Sequence, residues 1–390
     1  MEINRFLSLS KLDFKESYFL FGCRQVGKTW LLKKCVNADI YIDFLDNKEF
    51  SRYLTNPDVL LSEIKALNKE NAIIIIDEIQ KIPGLLDEVH RAIESSFKPK
   101  FILTGSSARK LKRSHANMLG GRAITLKLLP LTYYEVRDQF VLKDFLQFGG
   151  LPKVFCCETK QQKKALLESY VSTYLKEEIY DESKIRNLPA FTKFLDLAGF
   201  ENGKIINYAN IAREVGVSSS VVKDYFSILE DSLLGFYLMP YYKSCRKRIV
   251  NHPKFYFIDT GLTFAIKRML SIELLESTPL WGEVFEHFVI LEVIKAISYL
   301  KLEINTWFFR VSDKIEVDLI LEKHGKIIPV EIKANSKPNK VSGLKSFMKD
   351  HEIVQAYCVC QTPRAYEENG ILFVSWQDFV ERLYEDNLFK

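Results

Sequence analysis

The sequence predicts a mixed α/β protein, with a parallel sheet near the N-terminus, a helical middle and a second α/β region towards the C-terminus. Two patterns carry this. Between Tyr18 and Leu129, five short apolar runs (YFLFG, DIYIDF, AIIIIDE, KFILTGS and AITLKLL) are separated by helix-like segments. Runs that are apolar at successive positions mark strands buried on both faces and linked by crossover helices. In the last third, WFFRV, IEVDLILE, KIIPVEIK and AYCVCQ read as strands behind a helix-like stretch, Trp281 to Ile297.

The middle follows in chain order. Thr132 and Glu135 have capping-box spacing, so a helix should start there. A largely helical stretch then runs to about Phe200. Between Asn207 and Tyr237 a two-helix pattern breaks at Gly216, and the basic segment Tyr242 to Lys254 follows.

The 390 residues suggest two or three domains. Composition is that of a globular protein, 47% hydrophobic and 27% charged, which argues against wholesale disorder. The charge of +5 permits a nucleic-acid partner without requiring one. No apolar run approaches the roughly 18 residues of a membrane span. The N-terminal segment has neither the apolar stretch nor the small-residue site of a secretory signal, so no membrane partner and a cytoplasmic location are expected. Seven cysteines without paired zinc spacing fit a reduced compartment.

Gly22-Cys23-Arg24-Gln25-Val26-Gly27-Lys28-Thr29 matches G-x-x-x-x-G-K-T between a strand and a helix. Its backbone amides and the helix N-terminus should cradle phosphate, Lys28 should reach the β/γ-phosphates, and the Thr29 hydroxyl should ligate Mg2+. ATP and Mg2+ are therefore the expected cofactors. The strand Ile73–Ile76 ends in Asp77, which would hold the metal through water, and Glu78, which would deprotonate an attacking water. Ser106 or Thr104 would contact the γ-phosphate or that water; Ser106 also reads as a plain helix cap. Arg122, before the fifth run, is either an arginine finger or a surface residue.

Ile211 to Ser218 reads as a helix ending at Gly216, and Ser218 to Ser220 can cap a second helix. With Lys223 on that helix and Lys243, Arg246, Lys247, Arg248 and Lys254 in the acid-free segment behind it, this is a winged-helix candidate. DNA is its expected partner, although Asp224, Glu230 and Asp231 weaken the recognition face. The same module can serve as a structural or protein contact.

An antiparallel hairpin of IEVDLILE and KIIPVEIK would bring Asp318, Glu331 and Lys333 together. Asp318 and Glu331 could hold Mg2+, with Lys333 stabilising phosphate charge. The spacing D-x12-E-x-K resembles the PD-(D/E)xK nuclease core, and Glu286 fits that fold's helical acid. An amphipathic hairpin with solvent-facing charges is the plainer reading, and many proteins of that fold bind without cutting.

GCRQVGKT, IIIIDEIQKIPGLLDEVHR and FILTGSSARKLK…GGR closely resemble the ATP-binding core of a large prokaryotic AAA-type family whose C-terminal part is the DUF4143 region. GGLP, YLKEEI, KIRNLPAF, SILEDSLL and PKFYFIDTGL extend the resemblance over nearly the whole chain. Cys23 stands where the family commonly has Pro. The resemblance implies a P-loop NTPase sheet of the additional-strand class with a helical lid, followed by a winged helix and a PD-(D/E)xK-like domain. The expected divisions are 1–130, 131–200, 201–260 and 261–390. Pro152 of GGLP would pack near adenine, or merely start a helix. The implied function is an ATPase acting on DNA, with a homo-oligomer in which Arg122 acts across subunits as one arrangement and a finger within the chain left open. The alternative is an ATP-dependent switch for a protein partner, with a silent C-terminal domain.

Overall fold

A computed structural model describes residues 2–7, 9, 15–106, 111, 119–175, 187–242, 252–312, 315–338 and 341–389. Each of the five apolar runs is a strand: β1 (Ser17–Phe21), β2 (Ile40–Asp43), β3 (Ile73–Asp77), β4 (Lys100–Gly105) and β5 (Ala123–Lys127). They form one sheet in the order β2-β3-β4-β1-β5, parallel throughout. Alternate residues feed two cores: Tyr18, Leu20, Ile75 and Ile102 on one face, Phe19, Phe21, Ile74 and Leu103 on the other. This is why the runs of β1, β3 and β4 are apolar at successive positions, whereas edge strand β5 leaves Ile124, Thr125 and Lys127 exposed.

The additional strand β4 lies between β1 and β3. Because all strands are parallel, the loop after β1, the acids ending β3 and the hydroxyls ending β4 share one edge of the sheet.

The helical middle opens with the expected capping box. The Thr132 side chain accepts from Glu135 N at 3.1 Å, and Glu135 Oε2 accepts from Thr132 N at 2.8 Å. Helices Leu142–Phe148, Pro152–Phe155 and Lys160–Ser169 follow, then Leu188–Phe200, Tyr208–Val215 and Ser219–Asp231. Gly216 ends the second of that last trio with φ 83°, and Ser218 caps the third. Behind them β6 (Gly235–Pro240) pairs antiparallel with β7 (Lys254–Phe257), and Ile205 bridges Lys254.

The C-terminal strands are β8 (Asn305–Ser312), β9 (Ile315–Lys323), β10 (Lys326–Ile332), β11 (Ala356–Cys360), β12 (Tyr366–Glu368) and β13 (Ile371–Ser375). Their sheet has eight strands, β12-β13-β11-β10-β9-β8-β6-β7, because β6 runs parallel to β8 at Met239↔Trp307 and Pro240↔Phe308. The two strands that fall within 201–260, β6 and β7, therefore extend the C-terminal sheet. The division expected at 260 falls at the start of helix Thr260–Ile266, one residue after its N-cap Asp259.

Three contacts fasten the two halves. Helix Pro279–Leu300 carries a buried ion pair in which Lys295 donates to Glu292 at 3.1 Å and to Leu131 O at 2.8 Å. Arg5 donates to Val26 O at 2.6 Å, Leu129 O at 2.5 Å and the Tyr299 hydroxyl at 3.1 Å. Asp259 receives Gly150 N at 2.7 Å and Leu262 N at 2.9 Å. Gly149 has φ 73°, and a Cβ there would overlap the Asp259 carboxylate, so this glycine is required on both counts. GGLP and FIDTGL are thus two sides of one clasp. Among the described residues, no helix is long and apolar enough to cross a membrane.

Candidate functional site

Between β1 and helix Lys28–Cys35, Gln25 (φ 62°) and Gly27 (φ 91°) take left-handed conformations, as in the turns that form concave anion sites from backbone N–H groups. Gly27 occupies the N-cap and has no side chain to cap the helix. Lys28 is buried, its ammonium donating to Gly22 O at 2.6 Å and Cys23 O at 3.2 Å. Burial lowers its pKa, and Glu78 leads the acids opposing that shift, ahead of Asp77. Cys23 is buried as well, which pushes its thiol up to about 11.

Asp77 is 1% exposed and is held by hydroxyls. Thr29 donates to its Oδ2 at 2.8 Å, Tyr41 to the same oxygen at 2.9 Å, and Thr104 to Oδ1. Thr29 and Asp77 thereby present the hard-oxygen pair that suits Mg2+. Glu78 has φ 63°, an uncommon conformation for a non-glycine residue, and its N–H donates to Thr104 Oγ1 at 3.2 Å. Gln80, not singled out from the sequence, donates to Glu78 Oε2 and to Ser106 Oγ at 3.3 Å.

Pro152 lines a pocket of about 360 Å³ together with Ile3, Arg5, Gln25, Gly27 and Trp30. The Arg24 guanidinium lies 4.8 Å from the Tyr174 ring centroid. Arg122 precedes β5 and pairs with Glu94 at 2.6 Å. The register Ser17↔Ala123 sets it at the opposite end of the sheet from Gly22–Thr29. The strand direction, fixed by β5 running parallel to β1, is the reason.

In the C-terminal sheet the β9–β10 ladder runs to Leu319↔Val330. Beyond it the Asp318 carboxylate, instead of a backbone carbonyl, accepts from Ile332 N at 2.8 Å. Lys333 Nζ lies 2.6 Å from Glu331 Oε1 and 3.8 Å from Asp318 Oδ2. The hairpin does bring these three side chains together. Burial first, then the Glu286 charge, pushes Asp318 up to about 6; burial and Asp318 push Glu331 up to about 8. Glu331 Oε2 is buried and has no hydrogen-bond partner among the described residues. Asp318 and Glu331 are two ligands, and no group of three or more His, Cys, Asp or Glu able to hold a metal stands among the described residues.

Glu286 accepts from the Tyr256 hydroxyl at 2.8 Å. Lys254 is 3% exposed; its ammonium lies 2.6 Å from Glu316 and 3.6 Å from Glu286. Its reading as a DNA-contacting charge of the basic segment is therefore corrected: β7 carries it into the carboxylate cluster, where ion pairing offsets burial. Lys254, Tyr256, Glu286, Arg310 and Glu316 line a cavity of about 620 Å³. Lys223 is exposed, 5.3 Å from the Tyr208 ring. Lys243, Arg246, Lys247 and Arg248 lie outside the described residues.

Comparison with known proteins matches residues 15–137 to the AAA domain, 139–273 to a domain of unknown function (DUF8612) and 281–379 to another (DUF4143). An uncharacterized protein of Mycobacterium tuberculosis is 27% identical over 343 residues, covering 86% of this chain and 74% of its own length. One from Methanocaldococcus jannaschii is 25% identical over 379 residues, covering 89% and 82%. Among solved structures, the Aeropyrum pernix ORC1 protein in complex with DNA has a TM-score of 0.27 at 16% identity, covering 66% of this chain and 86% of that one. Domain III of the Thermotoga maritima replication initiation protein DnaA has a TM-score of 0.26 at 17% identity, covering 44% and 83%. Likenesses that slight carry no inference. The AAA domain thus lies over the phosphate loop and the DUF4143 region over the C-terminal hairpin, so the chain joins an AAA-type ATPase domain to a C-terminal DUF4143 region.

Proposed function

We propose that the protein binds and hydrolyses ATP at Gly22–Thr29 and acts on DNA through the three-helix module and the C-terminal hairpin site. The observation that carries the ATPase reading is the meeting of Lys28, Thr29, Asp77 and Glu78 at one sheet edge. ATP lays its phosphates along the loop, where Lys28 exchanges the Gly22 and Cys23 carbonyls for phosphate oxygens. Thr29 and Asp77 would hold Mg2+, which would offset phosphate charge. Glu78 takes the proton of the water that attacks the γ-phosphorus, and the bond to the β-phosphate oxygen breaks. The pocket beside Pro152 and Trp30 accommodates the base.

Helices Leu188–Phe200, Tyr208–Val215 and Ser219–Asp231 followed by β6–β7, with Ile205 bridging β7, support a winged-helix reading. Phosphate contacts would come from Lys223, Lys243, Arg246, Lys247 and Arg248. Asp318 and Glu331 would hold Mg2+, Lys333 would stabilise phosphate charge, and Glu286 would complete the acids of a nuclease-like site.

One observation favours the second reading, a switch for a protein partner: the Lys254 ammonium already neutralises Glu316 and Glu286. Mg2+-dependent cleavage of DNA lost in Asp318→Ala and Lys333→Ala supports the nuclease; intact DNA and RNA under all metal and ATP conditions favours the switch. DNA affinity should fall with salt and weaken in the Arg246→Ala/Lys247→Ala/Arg248→Ala variant. Affinity indifferent to both removes the DNA reading.

A further inference from the structure

We propose that Gln80 is a positioning residue for ATP hydrolysis, its carboxamide holding the Glu78 carboxylate aimed at the phosphate end of the loop. The inference rests on the ATPase reading. Gln80 sits in the short helical turn Ile79–Lys81 directly after β3 and is 4% exposed. A glutamine has a costly side chain to bury, and such amides are normally satisfied at both ends. Here the nitrogen donates to Glu78 and Ser106, while Oε1 is buried without a hydrogen-bond partner among the described residues. The residue is therefore placed for its donor end, at a cost its acceptor end does not recover. Room for it comes from Gly105, where a Cβ would stand 2.6 Å from Oε1.

The direction of the held carboxylate matters. Glu78 follows directly on Asp77 at the end of β3, on the sheet edge that carries the loop, and its charge acts on the buried Lys28 ammonium. Its backbone is pinned through Thr104, which leaves the side-chain torsions to be fixed. A base whose carboxylate swings loses alignment with its water, and a misplacement of about 1 Å costs on the order of 100-fold in rate. Gln80 makes and breaks no bond in the reaction. Glu78 receives the water proton, and the Gln80 N–H stabilises its orientation through the step. Ser106, on the same nitrogen, is brought into the array that Glu78 and Gln80 form.

The test compares full-length wild type, Gln80→Met, Gln80→Glu, Glu78→Gln and the Glu78→Gln/Gln80→Met double variant. Steady-state ATP hydrolysis, ATP binding and melting temperature are measured for each. Gln80→Met should lower kcat about 10- to 100-fold with the ATP Kd within about 2-fold of wild type. Gln80→Glu, isosteric but unable to donate when ionised, should be at least as slow. In the Glu78→Gln background Gln80→Met should add no further loss, because its effect passes through Glu78. Wild-type kcat in Gln80→Met overturns the proposal, as does an equal loss in both backgrounds or a loss matched by weakened ATP binding. A wild type that binds ATP but never hydrolyses it defeats the ATPase reading itself, and this proposal with it.

Discussion

Asp77 and Asp318 are both buried at strand positions and both lie near a lysine, but the chain satisfies them by different means. Asp77 receives three hydroxyl donors, and Lys28 rests on backbone carbonyls until phosphate replaces them. Asp318 receives one backbone N–H and otherwise shares its surroundings with Glu286, Glu331, Lys254 and Lys333. The first centre is a neutral cradle that holds a carboxylate for a ligand. The second is a web of buried ionisable groups that shift each other's charge, with one carboxyl oxygen of Glu331 left over. Substitutions at the first should therefore cost activity, whereas those at the second should cost stability.

The largest effect is expected at Lys28. Lys28→Met should lower ATP turnover by about 1,000-fold without lowering the melting temperature, since its burial already disfavours the charge. An unfolded variant would erase the contrast between the centres. Next is Lys254→Met, which leaves Glu316 and Glu286 without their buried cation and should cost about 3 kcal/mol in denaturant unfolding. Adding Glu316→Gln should recover part of it; additive losses would show the pair is not coupled.

Asp259→Ala removes the helix cap and leaves Gly150 and Leu262 N–H groups unpaired, costing about 2 kcal/mol. Because the clasped turn leads to Pro152 in the base pocket, ATP affinity should fall in the same variant, measured by titration. Unchanged affinity would separate the clasp from the nucleotide site.

The pH dependence sharpens the comparison. Asp318 and Glu331 keep protons in the folded chain that the unfolded chain has released, so their contribution is full below about pH 4 and declines as pH rises through 6 and then 8. Urea midpoints should fall over that window and flatten in Asp318→Asn/Glu331→Gln; Mn2+ should raise the wild-type midpoint at pH 8. A flat wild-type profile contradicts the charge web. The smallest effect belongs to Arg122→Ala, which should leave the melting temperature unchanged because its pair with Glu94 is exposed.

The parallel sheet was legible because its central strands, buried on both faces, are apolar at successive residues, and the phosphate loop because its chemistry is local in sequence. The Asp318–Glu331–Lys333 hairpin was legible for the same reason, two strands and a tight turn. Lys254 was not: a lysine at the end of a basic run reads as a DNA contact, and only the pairing of β6 with β8 turns β7 towards Glu316. Arg122 stayed open between a finger and a surface residue because its partner Glu94 lies 28 residues away in the chain. Gln80 had a signal, two residues after Glu78 in IDEIQ, but its importance depends on Ser106, which β4 brings from 26 residues away. The clasp likewise joins Gly150 to Asp259 across 109 residues.

The most direct measurement of the central claim is ATP hydrolysis with Mg2+ by wild type, Glu78→Gln and Asp318→Ala, with ATP binding followed in parallel. Wild type and Asp318→Ala should turn over ATP at similar rates, while Glu78→Gln binds ATP and hydrolyses it at least about 100-fold more slowly. Hydrolysis that survives Glu78→Gln, or is lost in a folded Asp318→Ala, would contradict the assignment of ATP chemistry to the sheet edge at Lys28, Thr29, Asp77 and Glu78.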